Sequence, residues 1–412
     1  MQLNLFAEIN YEILTEELFL AYFDCRKNKR NTLNALQFEK KLEHNVFQLI
    51  DEIYTNQYKI GRSIAFLVHS PVKREVFAAD FRDRVVHHWL INKLNPLFEN
   101  LLIPDSYACR VGKGTHYGIK RADFFIKTCS ENYSHDCYIL KLDIQGFFMH
   151  INRIILFDLL FRFINENYNN SDKELVVRIT RQIVFNDPTK NCFIKGNRKQ
   201  WNDLPRNKSL FHSPKDCGLP IGNLTSQVFA NFYLHQLDKF ITSELEIKFY
   251  GRYVDDFFIV HPDKEYLKSL IPQLSNFLIL TLQLTLHPKK IYLQHYTKGI
   301  QFLGSVIKPN RIFIANRTKG NFYRAIQKQN EVINQRKPAK EDLDHFISSM
   351  NSYLGILKHF KTFRIRKRVI SLHLSKNWLN YVYLGGGFTK FVLNKKTVIN
   401  KRYEKKKNKL DC

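Results

Sequence analysis

The sequence predicts a mixed α+β fold, and three observations predict it. Helical spacing of apolar residues dominates the first 58 residues, short aromatic and β-branched runs fill the middle, and a basic helical pattern closes the chain. At 412 residues, with 44% hydrophobic and 14% aromatic content, the chain can bury a large core divided among two or three subdomains. No internal repeat is present.

Residues 11–58 place Leu14, Leu18, Ala21 and Tyr22 at helical spacing, followed by a basic patch at 26–30. Residues 60–68 and 73–79 then have strand character, and Asp80 can cap a helix to Leu101 that turns Val85, Val86, Leu90, Ile91, Leu94 and Phe98 inward. The loop Tyr107 to His116 opens another helix, and its Gly112 and Gly114 expose backbone amides beside Arg110 and Lys113, a combination that suits phosphate. Many such loops bind nothing, and a histidine such as His116 is more often a structural hydrogen-bonder than a base. The polar stretch 165–215 is expected to be a surface insertion anchored by a packed Trp201. Gly218 to Gln227 forms a shaped turn, after which Asn223 starts a helix burying Leu224, Val228, Phe232, Leu237 and Phe240. A helix over 266–280, a turn over 284–291 that leads into a strand, and another strand over 300–307 follow.

The chemistry concentrates at Tyr253-Val254-Asp255-Asp256, a polar pair between apolar runs that is expected to form a β-hairpin with the acids at its turn. Taken alone, an adjacent acid pair is usually a solvated turn. A second acid changes that, because Asp143 ends a short apolar run before Gln145-Gly146-Phe147-Phe148. Carboxylates brought together from separate strands repel one another and lose water. A divalent cation relieves both costs, and hard oxygen ligands suit Mg²⁺. A strand that sets Asp143 beside Asp255 would make a two-metal site.

Charge points to a polyanion. The chain carries 64 Lys and Arg against 38 Asp and Glu, a formal +26. From Asn316 onward there are 23 Lys and Arg against six acids, a footprint that fits nucleic acid before membrane. The tail 401–407 is expected to be solvated, whereas Arg364, Arg366, Lys367 and Arg368 continue a helical pattern. The apolar runs are much shorter than a membrane span, and residues 1–8 lack a signal-peptide pattern. Seven scattered cysteines without zinc spacing suggest a reduced cytoplasmic protein and no zinc.

In order along residues 74–307, Asp143 with Phe147-Phe148, Gly218 to Gln227, Tyr253 to Asp256, Lys289-Lys290 and Phe302-Leu303-Gly304 resemble a reverse transcriptase. The resemblance implies a right-hand polymerase fold: a helical region at 1–58, fingers with the start of the palm at 59–142, a palm with an antiparallel sheet at 143–307, and a helical thumb with a tail at 308–412. It implies that Asp143 and Asp255 ligate two Mg²⁺, or Mn²⁺ in their place, with the Ile144 carbonyl helping and Asp256 less direct. Lys290 would be the general acid to pyrophosphate. Arg74 would hold the triphosphate, and Phe148 would exclude a ribose 2′-hydroxyl, with Ile221 and Gln227 also at the dNTP. Phe302 and Gly304 would form the primer grip, and Arg110, Lys113, Arg364, Arg366 and Lys367 would contact nucleic acid.

Ile221-Gly222-Asn223-Leu224-Thr225-Ser226-Gln227 resembles the reverse transcriptases of bacterial diversity-generating retroelements more than retroviral ones, which carry Gln-Gly-x-x-x-Ser-Pro. Ser106 to His116 and Phe81 to His88 carry the same likeness. That family copies a structured RNA into cDNA with errors at template adenines. The motifs also resemble defence-associated bacterial reverse transcriptases that act with a non-coding RNA. Partners implied are a structured template RNA, cDNA, dNTPs, and a small basic accessory protein or a second reverse transcriptase, with no membrane. Two other readings stand beside these: an RNA-dependent RNA polymerase, against which Phe148 argues, and an idle RNA-binding scaffold, against which the three acids argue.

Overall fold

A computed structural model describes residues 9–27, 32–69 and 72–394. The start 1–8, residues 28–30 of the basic patch and the basic tail 401–407 lie outside these. The chain divides into two compact units, Met1–His295 and Tyr296–Cys412. The division falls inside the segment expected to be palm, ahead of its end at 307. Among the described residues no helix is long and apolar enough to cross a membrane.

The first unit begins with α1 (Tyr11–Arg26), α2 (Leu33–Glu39) and α3 (Leu42–Tyr54). Leu14, Leu18, Ala21 and Tyr22 of α1 are buried as their spacing requires. The hairpin β1 (Ser63–Val68) and β2 (Arg74–Ala78) follows, then α4 (Phe81–Leu101), whose N-terminus is capped by the Asp80 carboxylate accepting from the Arg82 amide at 3.1 Å. All six residues expected to face inward on α4 are buried. Next come α5 (Thr115–Cys129), β3 (Tyr138–Asp143), the single turn α6 (Phe147–His150), α7 (Arg153–Asn167), α8 (Lys173–Phe185) and β4 (Cys192–Ile194). The unit ends with α9 (Leu224–Lys239), β5 (Tyr250–Tyr253), β6 (Asp256–His261), α10 (Lys264–Leu282) and β7 (Tyr292–His295).

Strands β5-β6-β3-β7 form an antiparallel sheet in that order. Its alternation sorts the faces. Leu140, Leu142, Phe257 and Ile259 join one core with Leu267, Leu270, Leu274, Leu278 and Leu282, the stripe of α10. Phe258 points the other way and meets Phe125 of α5, ring centroids 6.2 Å apart. The acids therefore sit at one end of a central strand fixed on both faces.

The stretch 165–215 is not the surface insertion its polarity suggested. Leu175, Val176, Ile179, Ile183 and Val184 form the buried stripe of α8, and the charged residues between them face outward. Asp172, just before α8, pairs with Lys93 of α4 at 2.7 Å, and β4 adds to β1 in parallel. The short turns over 198–212 are mostly exposed, and these are held by the buried Glu75 carboxylate. It accepts from Trp201 Nε1 at 2.7 Å, Ser209 Oγ at 2.8 Å and the Leu210 amide at 2.6 Å. Trp201 thus anchors its loop as expected.

In the second unit the expected strand over 300–307 is instead two, β8 (Ile300–Phe302) and β9 (Ser305–Lys308), folded back at Leu303 and Gly304, with φ of 48° and 80°. Their sheet is completed by β10 (Arg311–Ile314). Then come α11 (Asn316–Gln335), α12 (Lys340–Leu357), α13 (Phe363–His373) and the hairpin β11 (Val382–Gly385) with β12 (Lys390–Leu393). Phe322 and Ile326, Phe346, Met350 and Leu354, and Val369 with Trp378 make a core of the unit's own. Trp378 stacks on Phe346 at 4.2 Å and donates Nε1–H to the Gln329 carbonyl at 3.2 Å.

Candidate active site

Strand register gathers the acids. Asp143 lies directly opposite Asp256 across β3 and β6, so their side chains share one face. The Ile144 amide donates to the Asp255 carbonyl at 3.3 Å. Tyr253 pairs with Asp256, leaving Val254 and Asp255 as the hairpin turn. Val254 has φ of 55°, a left-handed conformation that a β-branched residue resists.

A buried network holds that turn. Arg252, fully buried, donates Nη1–H to the Val254 carbonyl at 3.0 Å. Its Nε and Nη2 grip both oxygens of buried Asp238 on α9, at 2.7 and 2.6 Å. Tyr250 donates to Asp238 at 2.6 Å, and Arg252 also reaches Asn231 Oδ1 at 3.2 Å and Ser106 Oγ at 3.2 Å. Burial pulls the Arg252 pKa down, but the Asp238 charge and hydrogen bonds, joined by Tyr250, together outweigh it and leave the pKa above the usual arginine value. Sequence reasoning missed Arg252 and Asp238. The signal was there, since an arginine inside the apolar run Phe249 to Ile259 must find a buried acid.

Two lysines neutralise two of the three acids. Lys290 Nζ donates to both oxygens of Asp143, at 2.8 and 2.9 Å. Lys141 Nζ stands 2.8 Å from Asp256 Oδ1. Among the described residues no lysine or arginine pairs with Asp255. Its carboxyl is pushed up to about 7, first by burial and then by the Asp143 charge, while Lys290 pulls the other way. Burial also raises Asp256, against the pull of Lys141.

The Asp255 shift has a sign that can be measured. Its folded-state pKa lies above the ordinary value of 3.8 that it regains on unfolding, so its ionised form is the costly one in the folded protein. That cost is absent below pH 3.8, grows as pH rises and is complete above about 7. Metal-free protein is therefore expected to lose stability over that window. Asp255→Asn is expected to flatten the slope, as thermal melting in chelator would show.

Among the described residues no three His, Cys, Asp or Glu side chains stand ready to hold a metal ion. Lys290 stands on Asp143 and Lys141 beside Asp256. The donor set still fits a hard divalent cation. It is all carboxylate, it is gathered by backbone register, and it carries a like-charge penalty at Asp255 that a cation would relieve. The Ile144 side chain is buried.

Phe148 and Ile221 are half-buried against one small cluster of Ala65, Phe77, Met149 and Leu210. Backbone bonds lock this wall: the Leu219 amide donates to the Phe148 carbonyl and the Phe77 amide to the Ile221 carbonyl, each at 2.8 Å. Gly222 must be glycine, because with φ of 125° an added Cβ would stand 2.7 Å from Val76. Arg74 is exposed at the start of β2. Gln227 is exposed on α9 and accepts from Cys109 Sγ at 3.1 Å.

Several expected nucleic-acid contacts need correction. Arg110 is consumed within the protein by Glu99 at 2.8 Å and by the carbonyls of Ile103 and Ser106 at 2.6 and 3.1 Å. Lys113 turns back to the Pro104 carbonyl at 2.5 Å. Arg366 is buried and donates to the carbonyls of Gly387 and Phe388 at 3.1 and 2.7 Å. Phe302 is fully buried, so only the exposed turn at Gly304 is open to a ligand. Arg364 and Lys367 are exposed on α13 as expected.

Comparison with known proteins gives one family. Residues 73–307, more than half of the chain, match the family described as reverse transcriptase (RNA-dependent DNA polymerase). No curated protein sequence matches. Among solved structures, telomerase from Candida tropicalis without bound RNA is similar at 12% identity and a TM-score of 0.46, covering 76% of this chain and 61% of that one. Telomerase from Candida albicans in complex with a TWJ fragment of telomeric RNA is similar at 12% identity and a TM-score of 0.45, covering 82% and 59%. The chain spans less than two thirds of either.

Proposed function

The chain belongs to the reverse transcriptase family, whose members are RNA-directed DNA polymerases and hence nucleotidyltransferases, and we propose that it copies a dedicated structured RNA into cDNA in a bacterial diversity-generating retroelement. The family uses divalent metals and binds template RNA. In this reading the work is done in the cytoplasm, with a small basic accessory protein or a second reverse transcriptase sharing the RNA.

The reaction joins a primer 3′-hydroxyl to the α-phosphate of a dNTP. Asp143 and Asp255 would hold two Mg²⁺ ions, with the Ile144 carbonyl assisting. Bound there, divalent cations activate the hydroxyl and neutralise the charge that builds on the phosphate. The chain's own groups do the rest. Lys290, once off Asp143, is the proton donor to pyrophosphate. Arg74 grips the triphosphate, Gln227 faces the same nucleotide, and Phe148 crowds a ribose 2′-hydroxyl. In this reading the fingers with the start of the palm span 59–142, the palm 143–307 and the thumb with its tail 308–412. RNA phosphates would meet exposed Arg364 and Lys367 and the turn at Gly304.

The observation that carries the retroelement reading is the apolar seat of Ile221, packed with Phe148 on one cluster. An aliphatic side chain there offers no hydrogen bond to a base pair, which weakens discrimination. The test is to sequence the RNA and cDNA that co-purify with the protein. Substitutions concentrated opposite template adenine, and fewer of them from Ile221→Gln, are expected. Errors spread evenly over the four bases would defeat the reading. A short repetitive product made during phage infection would favour antiphage defence instead, and no cDNA at all would favour an RNA-binding scaffold. Phe148→Ala is expected to admit ribonucleotides that the parent refuses.

A further inference from the structure

The two lysines at the acid cluster have different settings. Lys290 lies in the turn ahead of β7, half exposed at 46%, and reaches Asp143 from outside the sheet. Lys141 is built into β3, the strand flanked by β6 and β7, and is only 18% exposed. It lies two residues before Asp143, so both side chains share a face with Asp256. Across β7 it is paired with Tyr292, whose ring centroid lies 6.0 Å from its ammonium. The lysine that meets Asp256 is thus set by sheet register, whereas the one that meets Asp143 is set by a turn.

We propose that Lys141 is a positioning residue that reserves Asp256, keeping the third carboxylate out of the metal-binding pair and leaving Asp143 and Asp255 to take the cation. The proposal rests on the metal-centre reading of those acids. Three free carboxylates would bind a divalent ion more tightly and in more than one arrangement. Tighter ground-state binding does not speed the reaction. An ammonium held 2.8 Å from Asp256 Oδ1 offsets one negative charge beside the pair without occupying it. Lys290 is the exchangeable partner, displaced from Asp143 as the cation enters.

The sign of the effect separates this role from a merely structural one. Manganese binding to purified protein, without primer or nucleotide, is measured by the paramagnetic resonance of free Mn²⁺. Lys141→Met keeps the stem and removes the charge, and is expected to bind Mn²⁺ on the order of tenfold more tightly. Lys141→Arg should restore the parent affinity. In an Asp256→Asn background the Lys141→Met change should no longer raise affinity, and this holds even if Lys141→Met alone folds poorly. Unchanged or weaker binding by folded Lys141→Met, or the same gain with and without Asp256, would overturn the proposal. Asp255→Asn is the separate control: if it binds Mn²⁺ as the parent does, the metal-centre reading itself fails.

Discussion

Arg252→Met is expected to destabilise the protein by about 3–5 kcal/mol, the usual result of stripping one partner from a buried ion pair. Asp238 is fully buried and would keep only the Tyr250 hydroxyl among its charged and hydroxyl partners. The Val254 carbonyl and Ser106 Oγ would each lose a donor as well. The damage should spread to the hairpin, since Val254 holds a left-handed conformation that its side chain resists. Chemical denaturation measures the loss. The double change Arg252→Met with Asp238→Asn should cost less than the sum of the two single changes, because neither leaves a bare charge behind. A loss below about 1 kcal/mol for Arg252→Met would show that the pair does not hold the turn.

Asp255→Asn is expected to cut RNA-templated dNTP incorporation by about a thousandfold or more, through kcat rather than the dNTP KM. The same substitution should raise the melting temperature of metal-free protein above pH 7, since it removes a carboxylate whose charged form is penalised by burial and by Asp143. Activity lost while stability is gained is the behaviour of a residue kept for chemistry. A purely structural aspartate would lose both. Single-turnover primer extension together with thermal melting in chelator separates the two cases.

Local pattern was enough to read the elements that make the site. The acids at the Tyr253 to Asp256 hairpin, the strand ending in Asp143 and the helix from Asp80 all fold as their spacing requires. Several elements escaped, and in two of the cases composition masks geometry. In α8 charged residues between Leu175 and Val184 hid a buried stripe, and at Leu303-Gly304 a turn interrupts what looks like one strand. Cations were harder still. Arg110 and Arg366 look in sequence like any exposed arginine, yet each is spent on carbonyls or acids inside its own unit. Charge counts give the field outside a protein and not which guanidinium faces it. Likewise the pairing of Lys141 with Asp256 depends on strand register, which no local run encodes.

The metal centre is tested most directly by anomalous X-ray scattering from crystals grown with Mn²⁺, primer, template and a non-reactive dNTP analogue. Manganese bound to the Asp143 and Asp255 carboxylates is the expected result, with Lys290 Nζ drawn off Asp143 and Lys141 still on Asp256. Manganese absent from those two carboxylates, with Lys290 still bridging Asp143, would contradict it.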